Sequence, residues 1–415
     1  MKNVKKKILV VKFGGSSLSD GEKISRAAEM VAKKLKEGLK IVVVVSAMGK
    51  TTDKLLEAIR SAAESKASPA EIDDILSMGE RTSARIFSAA LNAKGFKTRY
   101  IDPYDEKWPI ITNESFTNAE PIIEKSLQLI RENLSPLLQK SITPVIPGFL
   151  GKTVDGRITT LGRGGSDTTA FIIARALSAS QIILVTDVDG IMTADPKLVK
   201  DVRRLGKIKV EELVGLANSG KKFIHRKALK YKPKDIDVKI INSMYGDLDA
   251  EGTIIKGVFP EEIFTYTYSS PVAAVTIVGR GMSKANKVLI DLLGEIDRRG
   301  INLLGMSIDY DSLIMYLPKE VIPDTIEEIH EIVLKFDDAL ALSVSPELAL
   351  IKVRGAYLSE TPGVMNMVSE AIYSKGLNIY GVLTITSSIF LFVEWDKRDE
   401  AVEALENTLD KLRSG

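Results

Sequence analysis

Through its first 258 residues the chain alternates short apolar runs with longer stretches of helical period. The runs Ile8 to Val11, Ile41 to Val45, Thr98 to Ile101, Thr143 to Ile146, Gln181 to Val185 and Val238 to Ile241 read as strands. Between them, Glu22 to Lys36, Thr52 to Ala63, Ile72 to Ala93, Pro121 to Leu138 and Ser166 to Leu177 read as helices. Continuous Val and Ile runs suit strands buried on both faces, so the pattern predicts an α/β domain with an open, mostly parallel sheet and helices on both sides. Ligands of such sheets bind beyond the carboxyl ends of the strands. Five of those ends carry small or polar residues: Lys12 to Ser16, Ser46 to Gly49, Pro147 and Gly148, Thr186 and Asp187, and Asn242 and Ser243. One crevice could collect them all.

After residue 258 the pattern changes. Ile263 to Tyr268 alternates like a strand, and two similar units follow. Arg280-Gly281 recurs as Arg354-Gly355, 74 residues on, and Gly300-Ile301-Asn302-Leu303 as Gly376-Leu377-Asn378-Ile379, 76 on. Each unit encloses an amphipathic helix, with Val288, Leu289, Leu292, Leu293 and Ile296 in one and Val364, Met365, Val368, Ala371 and Ile372 in the other. Each reads strand, helix, strand, strand, helix. With 415 residues in all, the chain divides into two or three domains.

Composition narrows the chemistry. Lys and Arg number 57 against 55 Asp and Glu, a net charge of +2 that gives no bulk attraction to nucleic acid or an anionic membrane. An anionic ligand must therefore meet a local site. No cysteine is present, which removes thiolate nucleophiles, disulfides and zinc ribbons, and suits a reducing cytoplasm. The only histidines are His225 and His330, so multi-histidine metal sites are excluded. The basic start MKNVKKKILVVKF has too short an apolar run for a signal peptide, and no run approaches the roughly 20 residues of a membrane span. The expectation is a cytoplasmic chain.

Lys12-Phe13-Gly14-Gly15-Ser16-Ser17 follows a strand and precedes a helix. Two glycines let a ligand approach the backbone, their N–H groups suit phosphate oxygens, and the lysine adds a charge; an ordinary turn with a surface lysine is the plainer reading. Gly49-Lys50-Thr51 is no P-loop, since Val44 occupies the first glycine position, and Gly162 to Asp167 fails the dinucleotide fingerprint at Asp167. Leu161 to Ala170, LGRGGSDTTA, is more specific. Ser166 could cap the following helix and Asp167 complement its positive end, but neither explains Arg163, whose guanidinium suits a carboxylate or phosphate. Asp167 could also pair with Lys12 and fix its ammonium. Thr186-Asp187-Val188-Asp189-Gly190 reads either as a nucleotide or magnesium contact or, slightly favoured, as an Asp-rich turn.

Taken in order, KFGGSS (12–17), SAMGKTTDKL (46–55), SMGER (77–81), PGFLG (147–151), TLGRGGSDTTA (160–170), TDVDGIMTADP (186–196), GKKFIH (220–225) and EGTII (251–255) resemble the aspartate kinases of the amino-acid kinase family. The C-terminal duplication resembles their paired ACT regulatory domains, which are ferredoxin-like α+β units. The resemblance implies a catalytic domain at 1–258, a first ACT unit at 263–346, whose leading strand 263–268 could be shared with the second, and a second unit at 347–415. It implies phosphorylation of the β-carboxylate of L-aspartate by ATP with Mg²⁺, the first step toward lysine, threonine and methionine. Lys12, Gly14 and Gly15 would hold the transferring group and Asp167 orient Lys12. Thr52, Glu80, Arg163 and Ser166 would bind aspartate, Glu80 taking its ammonium and Arg163 its α-carboxylate. Lys12, Gly15, Ser16, Thr186, Asp187, Lys197 and Lys222 would line the ATP site, with no direct protein ligand to the metal named. An amino-acid effector, threonine before lysine, and a homodimer or larger assembly through the ACT units are further expectations. A kinase of an acetylated substrate would have no use for Glu80, and a non-catalytic sensor none for Lys12, Arg163 and Asp167 together.

Overall fold

The computed structural model describes residues 7–63, 66–216, 224–259, 263–355, 358, 362–385 and 387–414. The chain forms two compact units, residues 1–259 and 260–415.

The first unit holds strands β1 (Ile8–Phe13), β2 (Lys40–Val45), β3 (Thr98–Tyr100), β4 (Thr143–Pro147), β5 (Leu150–Lys152), β6 (Ile158–Thr160), β7 (Gln181–Thr186), β8 (Lys207–Lys209), β9 (Val238–Asn242) and β10 (Thr253–Lys256). Its helices are α1 (Gly21–Lys36), α2 (Thr51–Ala62), α3 (Pro69–Ala93), α4 (Ile123–Gln139), α5 (Gly165–Leu177), α6 (Val210–Leu216) and α7 (Arg226–Leu229). Eight strands form one sheet in the order β3-β4-β2-β1-β7-β9-β10-β8, parallel except where β10 runs against β9, and β5 and β6 form a hairpin. This is the open, mostly parallel α/β sheet that the alternation predicts. Alternate side chains sort to the two faces. Val11, Phe13, Val43, Val45 and Ile183 pack with α1 and α3 in one core, while the intervening residues of β1, β2 and β7 face α5, which is buried on almost every side from Gly165 to Ala174.

Lys12 lies inside β1, which runs two residues beyond the expected strand, opposite Val44 of β2 and Leu184 of β7. Parity with Val10 therefore aims its side chain toward α5, not into a loop.

The second unit contains β11 (Phe264–Thr267), β12 (Val272–Gly279), β13 (Gly305–Ile308), β14 (Ser312–Pro318), β15 (Ala339–Val344), β16 (Leu348–Arg354), β17 (Gly381–Ile385) and β18 (Ser388–Glu394), with helices α8 (Asn286–Arg298), α9 (Ile326–Leu334), α10 (Val364–Ser374) and α11 (Arg398–Ser414). The repeats give matching antiparallel four-stranded sheets, β15-β12-β14-β13 and β11-β16-β18-β17, joined into one eight-stranded whole where Val272 of β12 pairs with Leu348 of β16. The first thus ends in a strand beyond the expected five elements. In the second that position is filled by β11, which precedes the first repeat in sequence. Each sheet covers one face with its own helices: Val288, Leu292 and Ile296 pack in the first, and Val364, Val368, Ala371 and Ile372 in the second. The other faces meet through Val272, Ala274, Leu348 and Leu350, with Tyr316 stacked on Phe392 at 3.6 Å and 9°.

Candidate active site

At the carboxyl end of β1, the Lys12 ammonium lies 2.7 Å from Asp167 Oδ1, with both side chains largely buried. Asp167 is the third residue of α5, so its charge sits in the first turn, where the helix dipole favours an anion. The pair fixes where the ammonium points while leaving its remaining N–H groups for a ligand.

The turn after β1 is a short 3-10 helix from Gly15 to Leu18. A side chain at Gly15 would reach within 2.7 Å of the Ala47 carbonyl oxygen, so only glycine permits this closeness to the end of β2. The Gly49 N–H donates to the Gly15 carbonyl at 2.9 Å, joining the two strand-end loops. The Gly14 N–H, offered to phosphate in the sequence reading, instead donates to the Val185 carbonyl at 3.0 Å, as a residue continuing the β1 and β7 pairing must. The N–H groups of Gly15 and Ser16 open the 3-10 turn, where no preceding carbonyl is in helical register, and Ser16 is exposed.

Across the crevice, α3 carries Glu80, which is 3% exposed. Its Oε1 accepts the Ala47 N–H at 3.1 Å, and its Oε2 is buried without a hydrogen-bond partner among the described residues. Burial pushes its pKa up to about 8, with the Ala47 hydrogen bond pulling the other way. An uncompensated carboxylate in this position calls for a cation. Gly79 permits the contact: a side chain there would come within 2.9 Å of the Ala47 side chain and 3.5 Å of that of Thr51, in the first turn of α2. Thr52, half-buried, follows in the same turn.

Arg163 projects from a loop shaped by Gly162 at φ +68° and Gly164 at φ +79°, in the left-handed region that glycine adopts most readily. It is exposed and forms no ion pair with a described residue. Ser166 does not cap α5. The left-handed Gly164 holds the cap position without a side-chain bond, the helix begins at Gly165, and Ser166 sits one residue inside, accepting the Ser46 hydroxyl at 3.0 Å. That bond spans 120 residues and ties the end of β2 to α5.

A model of the "Amino acid kinase family" matches residues 7–242. The chain belongs to that family. Within it, this amino acid kinase stands among the aspartokinases: it is 30% identical over 408 residues to an aspartokinase of Geobacillus stearothermophilus, covering 96% of each chain, and 31% identical over 413 residues to one of Bacillus sp. (strain MGA3), covering 97% of each. Among solved structures it resembles aspartate kinase from Synechocystis, with a TM-score of 0.77 and 25% identity over 97% of this chain and 69% of that one. It also resembles E. coli aspartokinase III in complex with aspartate and ADP, with a TM-score of 0.55 and 25% identity over 97% of this chain and 100% of that one.

On the other flank of this kinase's crevice, Thr186 ends β7 opposite Asn242 of β9. Its hydroxyl donates to Asp187 at 3.2 Å, and Asp187 itself is exposed. Asp189 is held by the Asn242 side-chain amide at 2.8 Å. Gly190, at φ +120°, leaves room for Thr253, whose hydroxyl accepts the Ile191 N–H at 2.9 Å. Asp189 thus has a partner within the protein at the strand ends. Lys197 is exposed in an Asx turn, its N–H donating to Asp195 at 2.9 Å. Lys222 lies outside the described residues. His225 stands immediately before α7, accepting the Lys227 N–H through Nδ1 at 3.3 Å, and His330 is exposed on α9 of the second unit.

Direct contacts thus join Lys12 to Asp167, Gly15 to the Ala47 and Gly49 loop, Glu80 to Ala47, and Ser166 to Ser46. Among the described residues, no such hydrogen bond or ion pair ties Arg163, Thr52, Thr186 or Lys197 to that set. The sequence reading passed over Ser46 as a partner of Ser166, and over Asp73 and Lys227. Isolated polar residues in helices carry no local sign of their partners.

Proposed function

We propose that the chain transfers the γ-phosphoryl group of ATP to the β-carboxylate of L-aspartate, releasing 4-phospho-L-aspartate and ADP. The observation that carries this reading is Glu80: a buried carboxylate with one oxygen bonded to Ala47 and the other without a described partner suits the ammonium of a free α-amino acid, and an acetylated substrate has none to offer. Arg163 would grip the α-carboxylate, and Thr52 and Ser166 would flank the same substrate. A carboxylate is already ionised at neutral pH, so its oxygen attacks phosphorus without a general base while the bond to the β,γ-bridging oxygen breaks and ADP leaves. The protein's part is to hold two anions together and stabilise the charge between them, which falls to Lys12 and the N–H groups beside Gly15. Gly15 itself serves the packing of the two strand-end loops, since a side chain there would meet the Ala47 carbonyl, and the phosphate would meet the N–H groups that open the 3-10 turn. Mg²⁺ enters as part of the substrate MgATP, whose phosphate charge it shields. Ser16, Thr186, Asp187 and Lys197 would line the nucleotide side, and Lys222 is proposed with them.

An ATP-dependent hydroxamate assay tests the reading, with L-aspartate, L-glutamate and N-acetyl-L-glutamate as acceptors. Aspartate should be the preferred acceptor, and failure to phosphorylate it would overturn the assignment. Arg163→Ala should raise the aspartate KM roughly tenfold to a hundredfold, the loss of one charge-assisted contact, with ATP binding little changed. A fall in ATP affinity alone would assign Arg163 to the nucleotide.

We further infer a catalytic region at 1–258 and two regulatory units at 263–346 and 347–415, with threonine or lysine as effector. E. coli aspartokinase III, which this chain resembles at a TM-score of 0.52 and 25% identity, has been solved with lysine and aspartate. An effector acts only if it prefers one of two arrangements of the protein. The full-length chain should sediment as a dimer or larger and bind one of the two amino acids calorimetrically; a monomer binding neither would remove this part of the proposal.

A further inference from the structure

Two charged side chains outside the reaction just described converge on the backbone that carries Arg163. Asp73, on α3, is fully buried. Its Oδ2 accepts the N–H groups of Thr117 and Thr160, each at 2.8 Å, and its Oδ1 accepts the Thr160 hydroxyl at 2.6 Å. Burial raises its pKa and the three bonds oppose that rise. Lys227, on α7, sits in a cage of neutral oxygens: its ammonium donates to Asn118 Oδ1 at 2.7 Å, to the Leu161 carbonyl at 2.9 Å, and to the carbonyls of Ala119 and Asn118 at 3.2 and 3.3 Å. It makes no ion pair with a described residue, and burial lowers its pKa. Taking a cation out of water is costly, and the hydrogen bonds to these oxygens offset that cost while drawing the two backbone segments together.

What the pair encloses is the approach to Arg163. Thr160 and Leu161 lead directly into Gly162, and the Ala119 N–H bonds back to the Thr160 carbonyl at 2.9 Å. A side chain at Gly162 would strike Asn118 Oδ1 at 2.4 Å, and one at Gly164 would strike the His225 side chain at 2.6 Å. The loop is thus gripped on both sides of Arg163. Asp73 also stands seven residues before Glu80, two turns along the same helix and on the same face. One helix therefore carries Glu80 and holds the root of the Arg163 loop through Asp73, while Lys227 holds the neighbouring residues Asn118, Ala119 and Leu161.

We propose that Asp73 and Lys227 are positioning residues that fix the Arg163 loop relative to Glu80, and so set the span within which the ammonium and α-carboxylate of the acceptor must fit. This rests on the reading of Glu80 and Arg163 as the two ends of the amino-acid site. The clamp touches neither substrate. It acts by keeping the acceptor carboxylate where the phosphoryl group will be, and small displacements there are expensive in rate.

The test compares wild type, Lys227→Met and Thr160→Val for melting temperature, for the KM of aspartate and of ATP, and for the kcat/KM ratio of L-aspartate to L-glutamate. Lys227→Met keeps the length of the stem and removes every donor; Thr160→Val removes only the hydroxyl bond to Asp73 and serves if the first variant does not fold. Lys227→Met should raise the aspartate KM roughly tenfold and Thr160→Val roughly threefold, while the ATP KM stays within about twofold. The preference for aspartate over glutamate should shrink alongside. A merely structural contact would lower the melting temperature and leave the aspartate KM and the acceptor ratio unchanged, which would overturn the proposal. If wild type fails to use aspartate at all, the underlying reading falls and the clamp with it; a wild type that uses aspartate beside variants with normal KM and ratio sinks the clamp alone.

Discussion

Lys12→Ala is expected to lower kcat roughly 100-fold or more, the scale seen when a preorganised donor to transition-state charge is lost. The argument starts from position. Lys12 is the penultimate residue of a strand with parallel neighbours on both sides, so its backbone cannot shift, and Asp167 at 2.7 Å holds the far end of its side chain. An ammonium restrained at both ends stabilises developing charge without first having to reorganise. Removing it also leaves Asp167 as an uncompensated anion where a phosphoryl group must approach, which adds repulsion to the lost attraction. ATP and aspartate should still bind, because the glycine turn, Glu80 and Arg163 are untouched. Single-turnover rates and calorimetric binding of each substrate check this, with melting temperature as the control for folding. Retention of half the wild-type kcat would remove Lys12 from the reaction.

Much of this site is legible in the sequence for a physical reason. Parallel strands bury both faces and leave polar residues only at their ends, so the small and charged residues after each apolar run mark the crevice almost by elimination. The helix starts also read closely: α1 begins at Gly21 against an expected Glu22, and α5 at Gly165 against Ser166. The one-residue difference at α5 matters, because it turns Ser166 from a cap into a helix residue facing Ser46. A left-handed glycine can end a loop as well as a capping hydroxyl can, and Gly164 does so here.

What escaped the sequence depends on partners far along the chain. The Gly14 N–H is consumed by Val185 because β7 happens to lie beside β1, an order that no local pattern states. Asp73 and Thr160 meet across 87 residues, Lys227 and Asn118 across 109. The strand at 264–267 precedes the first repeat, and of the two units the sequence left open for it the structure pairs it with β16 of the second. Alternation gives a strand its faces but not its neighbour.

The aspartate KM should fall steeply as pH rises from 6 to 8 in the wild type, and Glu80→Gln should abolish most of that dependence. In the free protein, burial holds the Glu80 pKa up at about 8 against an ordinary 4.5. At pH 6 only about one molecule in a hundred would carry the ionised form, and at pH 8 about half. An ammonium entering beside the buried carboxylate favours the ionised form, so binding below pH 8 must expel a proton, and that cost shrinks as pH rises. The KM should therefore drop by well over tenfold across the interval, flattening once Glu80 ionises unaided. The same raised pKa has the opposite sign for folding. The unfolded chain releases this proton near pH 4.5 and the folded chain holds it to about 8, so the contribution to stability is fully present below 4.5 and declines as pH rises toward 8. Glutamine resembles the protonated side chain. It should melt like wild type near pH 5 and higher than wild type near pH 9 without aspartate, yet raise the aspartate KM roughly tenfold to a hundredfold at pH 8, where a charge-assisted contact is lost. Protonation of ATP affects both proteins alike, so the difference between their profiles isolates Glu80. Parallel profiles with equal KM at pH 8 would show that no ammonium meets this carboxylate, and the choice of a free amino acid over an acylated one would lose its support.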